Sequence, residues 1–162
     1  MTDFATLYRQ YAPDVYRFSL YLSGNRAEAE DIVSETFARV WSTADQIRTG
    51  TVKAYLLVIA RNLYRTRLRK LRTRAELDED LLDPKPGPEA SADARLELRR
   101  VFARLQSLPE VDRAVLLMQA HQGLSIEEIA VALGSSVAAV KVRIHRVRQK
   151  LKQIRNEEEG KA

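Results

Sequence analysis

Apolar residues fall at helical intervals in three stretches over the first half of the chain. Phe4, Leu7, Tyr8, Tyr11, Val15, Phe18 and Leu22 recur three or four positions apart and so share one face of a helix. Pro13 interrupts them and is expected to bend or restart that helix, because its ring removes a backbone donor. After the turn Ser23-Gly24-Asn25, a second stripe comprises Ala29, Ile32, Val33, Thr36, Phe37, Val40 and Trp41, and a third comprises Val52, Tyr55, Leu56, Ile59 and Leu63. Three such stripes predict a small bundle. The pattern returns with Leu98, Val101, Phe102, Leu105 and Leu108, then with a helix opened by Pro109 that carries Val111, Val115 and Met118. No segment alternates apolar and polar residues as a half-buried strand would. The expected fold class is all-α, with two small helical domains.

Between the two sets lies "AELDEDLLDPKPGPEASADARLEL", with three prolines, one glycine and almost no periodic apolar residue before Leu96. Such a stretch reads as a linker. The expected divisions are a first domain over 1–74, a linker over 75–95 and a second domain over 96–162. A flexible linker of that size has an rms span of about 25 Å.

The second domain ends in a more specific pattern, "LSIEEIAVALGSSVAAVKVRIHRVRQKL", from Leu124 to Leu151. Ser125 followed three residues later by Glu128 is a capping box, so a helix starts there. Ile126, Ile129, Ala130 and Leu133 give it a buried face. Gly134 suits the left-handed residue that ends a helix, and Ser135 or Ser136 caps the next one. Helix, tight glycine turn, helix is the helix-turn-helix arrangement. On a wheel of about 3.6 residues per turn, the second helix gathers Val137, Val140, Ile144, Val147, Leu151 and Ile154 on one side. The other side carries Ala138, Lys141, Val142, His145, Gln149 and Lys152, with Arg146 and Arg148 flanking it and Arg143 and Lys150 nearer the core edge. A helix of that kind fits the major groove, where Lys and Arg donate to guanine and Val142 packs on a thymine methyl.

Charge distribution supports this more than total charge does. The net charge is +5, but residues 1–74 hold 13 Lys/Arg against 7 Asp/Glu, residues 75–100 hold 4 against 8, and residues 101–162 hold 10 against 7. The chain is basic, acidic, basic. Zero cysteines exclude disulfides and thiolate zinc sites, and two histidines are too few for a metal cluster. The longest apolar run, "AYLLVIA", is far short of the roughly 20 residues a membrane helix needs. No phosphate-cradling glycine loop and no nucleophile paired with a base is present, so no enzyme and no cofactor is expected; the protein is expected to be cytoplasmic, with no membrane insertion.

In the first domain, Arg61, Asn62, Arg65 and Arg69 lie on roughly one side of the third helix, followed by Lys70, Arg72 and Arg74, with Tyr55 and Tyr64 interleaved. A basic groove with aromatics suits single-stranded nucleic acid. The second helix is opposite in character. Asp31 and Glu35 sit four apart on its polar face with Glu28 nearby, and like charges at that spacing need a partner or a neighbour such as Arg39.

These segments together resemble a bacterial RNA polymerase sigma factor of the sigma-70 family, in its short two-domain extracytoplasmic-function (ECF) group. "FATLYRQYAPDVYRFSLYLSG", "AEAEDIVSETFARVW" and "VKAYLLVIARNLYRTRLRK" are similar to the family's first conserved domain, and "LPEVDRAVLLMQAHQGLSIEEIAVALGSSVAAVKVRIHRVRQKL" to its last. The resemblance implies that Asp31, Ser34, Glu35 and Ala38 dock on the clamp helices of the largest catalytic subunit of core RNA polymerase. It implies that Arg61, Asn62, Arg65 and Arg69, with the loop Ala44–Thr51, hold the melted −10 strand of promoter DNA. Ser136, Lys141, Val142, His145, Arg146 and Arg148 are implied to meet the −35 duplex, and the acidic linker to thread the polymerase's RNA path. An anti-sigma factor is an implied partner. Ser34 stands where the family usually has glutamine, Tyr55 where it often has tryptophan, and Ala138, Ala139 and Val142 where smaller or hydroxyl residues are common. The alternative is a free-standing helix-turn-helix regulator acting without polymerase.

Overall fold

The computed structural model describes residues 3–43, 52–73 and 91–160. The loop Ala44–Thr51, Arg74 and linker residues 75–90 lie outside them. The chain forms two compact units, 1–85 and 86–162, and the described residues form helices and turns without strands.

The first unit packs α1 (Phe4–Ser23), α2 (Arg26–Val40) and α3 (Val52–Thr73) on one another. Asp3 caps α1 by accepting the amide of Thr6 at 2.7 Å, and that hydrogen bond holds its carboxyl below the usual carboxylate range. Pro13 does not restart the helix: α1 runs through it from Phe4 to Ser23. An interior proline costs about 3 kcal/mol. Leu7, Val15, Phe18 and Leu22, all essentially inaccessible, each contribute about 2 kcal/mol of burial, which outweighs it. Gly24 ends the helix at φ 70°, with its amide on the Leu20 carbonyl, and Asn25 caps α2 by accepting from Glu28 at 2.9 Å. The α2 stripe is buried from Ala29 to Val40. Trp41 departs from the expected pattern: past the last turn of α2 it is 67% exposed, its ring meeting Phe4 edge-on with centroids 4.5 Å apart.

The second unit contains α4 (Ala92–Gln106), α5 (Glu110–Leu116), α6 (Ile126–Leu133) and α7 (Val137–Gly160). Residues 92–95, expected in the linker, are helical instead, because Ser91 caps α4 by accepting from Ala94 and Asp93 favours the first turn. A buried arginine joins α4 to α5. Arg113, 6% exposed, donates from Nε to the Leu105 carbonyl at 2.9 Å and from Nη2 to that of Leu108 at 3.1 Å. The cation thus satisfies carbonyls at the C-terminal end of α4, where a positive charge is favourable. Beyond Leu116 the helix widens into a π-turn over Leu117–His121, and the Gln122 amide reaches five residues back to Leu117 at 2.9 Å. Phe102, Leu108, Val115, Met118, Ile129, Val140, Ile144 and Val147 form the core.

Candidate nucleic-acid interface

The capping box between Ser125 and Glu128 is reciprocal: the Glu128 amide donates to Ser125 Oγ at 3.1 Å, and the Ser125 amide to Glu128 Oε1 at 3.0 Å. Gly134, at φ 62° and ψ 38°, closes α6. The amide of Ser135 reaches back to the Ala130 carbonyl at 2.8 Å. Of the two candidate caps for α7, Ser136 takes the role, accepting the Ala139 amide at 3.1 Å. Ser136 is also exposed, at a helix N-terminus, where an anion is favoured.

This turn fixes which side of α7 meets solvent. Val140, Ile144 and Val147 are buried, and Val137, Leu151 and Ile154 half-buried. Ala138, Lys141, Val142, His145, Arg146, Arg148, Gln149 and Lys152 are exposed, Val142 at 50%. The apolar half of the wheel anchors the helix and leaves the basic half as a ridge.

Two cations of α7, Arg143 nearer the core edge and Arg148 flanking the exposed side, have partners within the unit. Arg143 Nη1 pairs with Asp112 Oδ1 at 2.7 Å, and Arg148 Nη2 donates to Gln119 Oε1 at 3.0 Å. Asp112 stands on α5 and Gln119 in the π-turn. His145 Nε2 lies 3.2 Å from the Gln149 amide nitrogen one turn on. Arg104 and Glu158 form an ion pair that ties α4 to the end of α7.

On α3, Asn62, Arg65 and Arg69 are exposed and Arg61 half-buried, so the four share an accessible side. The aromatic contribution is smaller than expected. Tyr55, 42% exposed, is open to a base, but Tyr64 is only 6% exposed, because its position one turn from Ala60 puts it on the packing face.

On α2, Asp31, Ser34, Glu35 and Ala38 are all exposed and lie along one side. The neighbour that relieves their like charges is Arg67 of α3, which sequence spacing did not single out, and not the Arg39 considered above. Arg67 Nη2 lies 2.8 Å from Glu35 Oε1, and Nη1 3.4 Å from Glu28 Oε2 and 3.5 Å from Asp31 Oδ2. Between the Ser34 side of α2 and α1 runs an open groove lined by Tyr8, Pro13, Tyr16 and Val33.

An exposed acidic face and an exposed basic face on one helical unit, with a helix-turn-helix on the other, fit a promoter-specificity factor, and comparison with known proteins gives that class. Residues 7–74 match the family described as Sigma-70 region 2, and residues 98–151 match Sigma-70, region 4. The region 2 match sets aside the alternative of a free-standing regulator.

The ECF RNA polymerase sigma factor EcfG of Rhodopseudomonas palustris is 35% identical over 145 residues, covering 86% of this chain and 77% of its own. SigE of Mycolicibacterium smegmatis is 36% identical over 157 residues, and the chain, 94% covered, spans 61% of SigE's length. Among solved structures, CnrH in complex with the cytosolic domain of CnrY aligns with a TM-score of 0.69 at 28% identity, over 95% of this chain and 88% of that one. RpoE of Bartonella quintana, solved with the anti-sigma factor NepR, shares the fold at a TM-score of 0.76 and 23% identity, over 92% and 94%. The chain belongs to the ECF sigma factors of the sigma-70 family, which bind core RNA polymerase and direct it to specific promoters.

Proposed function

We propose that the two units divide that task between named faces. Asp31, Ser34, Glu35 and Ala38 of α2 dock on the clamp helices of the polymerase. Arg61, Asn62, Arg65 and Arg69 of α3 hold the melted −10 strand, phosphates on the arginines and an unstacked base at Asn62. Ser136, Lys141, Val142, His145 and Arg146 read the −35 duplex, and Arg148 holds phosphate. Catalysis stays with the polymerase, and the factor needs no cofactor of its own. The site of action is the cytoplasm, where the template is; no described helix is long and apolar enough to cross a membrane. An anti-sigma factor is part of the reading, supported by the 28%-identical CnrH, whose structure contains a domain of CnrY.

The observation that carries the reading is α7, a helix delivered by a glycine turn with Lys141, His145, Arg146 and Arg148 exposed on one side and Val140, Ile144 and Val147 buried on the other. The test is reconstitution: stoichiometric retention of the chain by core polymerase, then transcription from a genomic promoter library with start sites mapped. Start sites sharing −10 and −35 elements that vanish without the chain are expected. Tight promoter binding by the isolated chain, with no retention by core, would contradict the reading.

A further inference from the structure

Arg67 serves three carboxylates with one guanidinium. Glu28, Asp31 and Glu35 follow one another at i, i+3 and i+7 on α2, so their side chains line a single face. Side-chain exposure is 65% for Asp31 and 51% for Glu35, but only 23% for Glu28 and for Arg67 itself. Position 67 continues the packing face of α3 that contains Ala60, Leu63 and Tyr64, all buried, so the backbone delivers the guanidinium to α2. Only the Glu35 contact, at 2.8 Å, has full hydrogen-bond length; those to Glu28 and Asp31, at 3.4 and 3.5 Å, show a charge shared among acceptors and not locked into one bidentate pair. The formal charge of the group is −3 + 1 = −2, and its two more exposed carboxylates are the ones assigned to polymerase docking.

We propose that Arg67 is an internal counter-cation, occupying the docking carboxylates Asp31 and Glu35 in the free chain and giving them up when a basic surface of core polymerase arrives. This rests on the docking assignment made above. Docking then exchanges one cation for another. The internal pair must be broken before the external one forms, and the face offers the partner less negative charge than its three carboxylates suggest. An exposed ion pair is weak enough to be displaced in this way. While it lasts it also relieves the repulsion along α2.

The experiment measures equilibrium binding of the full chain to core polymerase at two salt concentrations, with helicity checked by circular dichroism. Arg67→Gln should bind core about two- to fivefold tighter, with a steeper salt dependence, as expected from removing an exposed competing pair. The gain should disappear in a chain that also carries Asp31→Asn and Glu35→Gln. Arg67→Lys keeps the charge but not the fork that spans Glu35 and its neighbours, and should bind tighter than the wild type by a smaller factor; it carries the test if the Gln variant loses helicity. Equal or weaker binding by the folded Arg67 variants would overturn the proposal. The Asp31→Asn, Glu35→Gln chain tests the docking assignment separately. If it binds core as the wild type does, the docking face lies elsewhere and both readings fall; if it binds more weakly while the Arg67 variants show no gain, only the counter-cation role fails.

Discussion

The two arginine-rich helices, α3 and α7, make different use of similar charge runs. Each turns part of its positive charge inward and part outward. In α7 the inward contacts are Arg143 to Asp112, on the α5 helix that α7 packs against, and Arg148 to Gln119 in the π-turn. Asp112 is only 18% exposed, so its pair with Arg143 belongs to the scaffold. In α3 the inward contacts include Lys53 with Asp14 of α1, at 3.7 Å, and Arg67, and two of Arg67's three partners are more than half exposed on the face proposed for docking. The difference lies in exchangeability: a cation whose partner is shielded helps to set a helix in place, and one whose partner is exposed can be traded.

The outward side of α7 should give the largest effect on that comparison. Replacing Lys141 or Arg146 with Ala should cost about 1 to 3 kcal/mol in −35 binding and relax the preference at one position, whereas Arg148→Ala should weaken all sequences alike and lower the salt slope by about one. Binding selection with the holoenzyme at two salt concentrations separates them, and uniform loss in all three variants would make the whole ridge electrostatic. Asn62→Ala on α3 should cost about 1 kcal/mol, the size of one hydrogen bond. The loss should appear in open-complex formation, seen by permanganate reactivity, with closed-complex binding largely kept; equal loss in both assays would remove α3 from the melted strand.

A smaller effect is expected at the inward contacts of α7. Asp112→Ala should lower the stability of the second unit by up to about 1 kcal/mol, measured as a shift of its urea midpoint, without altering the sequence preference. A changed preference would mean that Arg143 reads bases and that its pair is exchangeable too. Gln119→Ala should be the mildest change, within about 0.5 kcal/mol for both stability and binding. A marked drop in duplex affinity would show that Arg148 depends on Gln119 for its orientation.

The local features of the chain were legible in its sequence because each depends on residues close together. The capping box at Ser125, the left-handed Gly134 and the buried side of α7 follow from spacing alone, and so does the exposure of Asp31, Glu35 and Asn62. What could not be read needs a second element. Arg67 meets α2 from 32 residues beyond Glu35, and no helical periodicity on α3 tells which acids lie across from it. Arg113 looks like an ordinary surface charge until the carbonyls at the end of α4 are seen around it. Tyr64 and Trp41 failed in opposite directions: an aromatic within a basic run turned out to be core, and an aromatic continuing an apolar stripe fell past the end of its helix. The start of α4 was missed because Pro and acidic residues before it set the average composition, although Ser91 and Asp93 carry the local signal of a helix start.

The π-turn at Leu117–His121 has a consequence for the history of the gene. A π-turn accommodates one residue more than an α-helix of similar rise, so the segment has the character of a one-codon insertion absorbed without disturbing the helices on either side. Reverting it is not neutral for the side chains it carries. Deleting one codon there would let the helix tighten and rotate the residues on one side of the deletion by about 100° relative to those on the other. Gln119 would swing off Arg148, or Met118 out of the core. Reading-frame-preserving deletions at these five codons should therefore be rare among functional descendants of this chain.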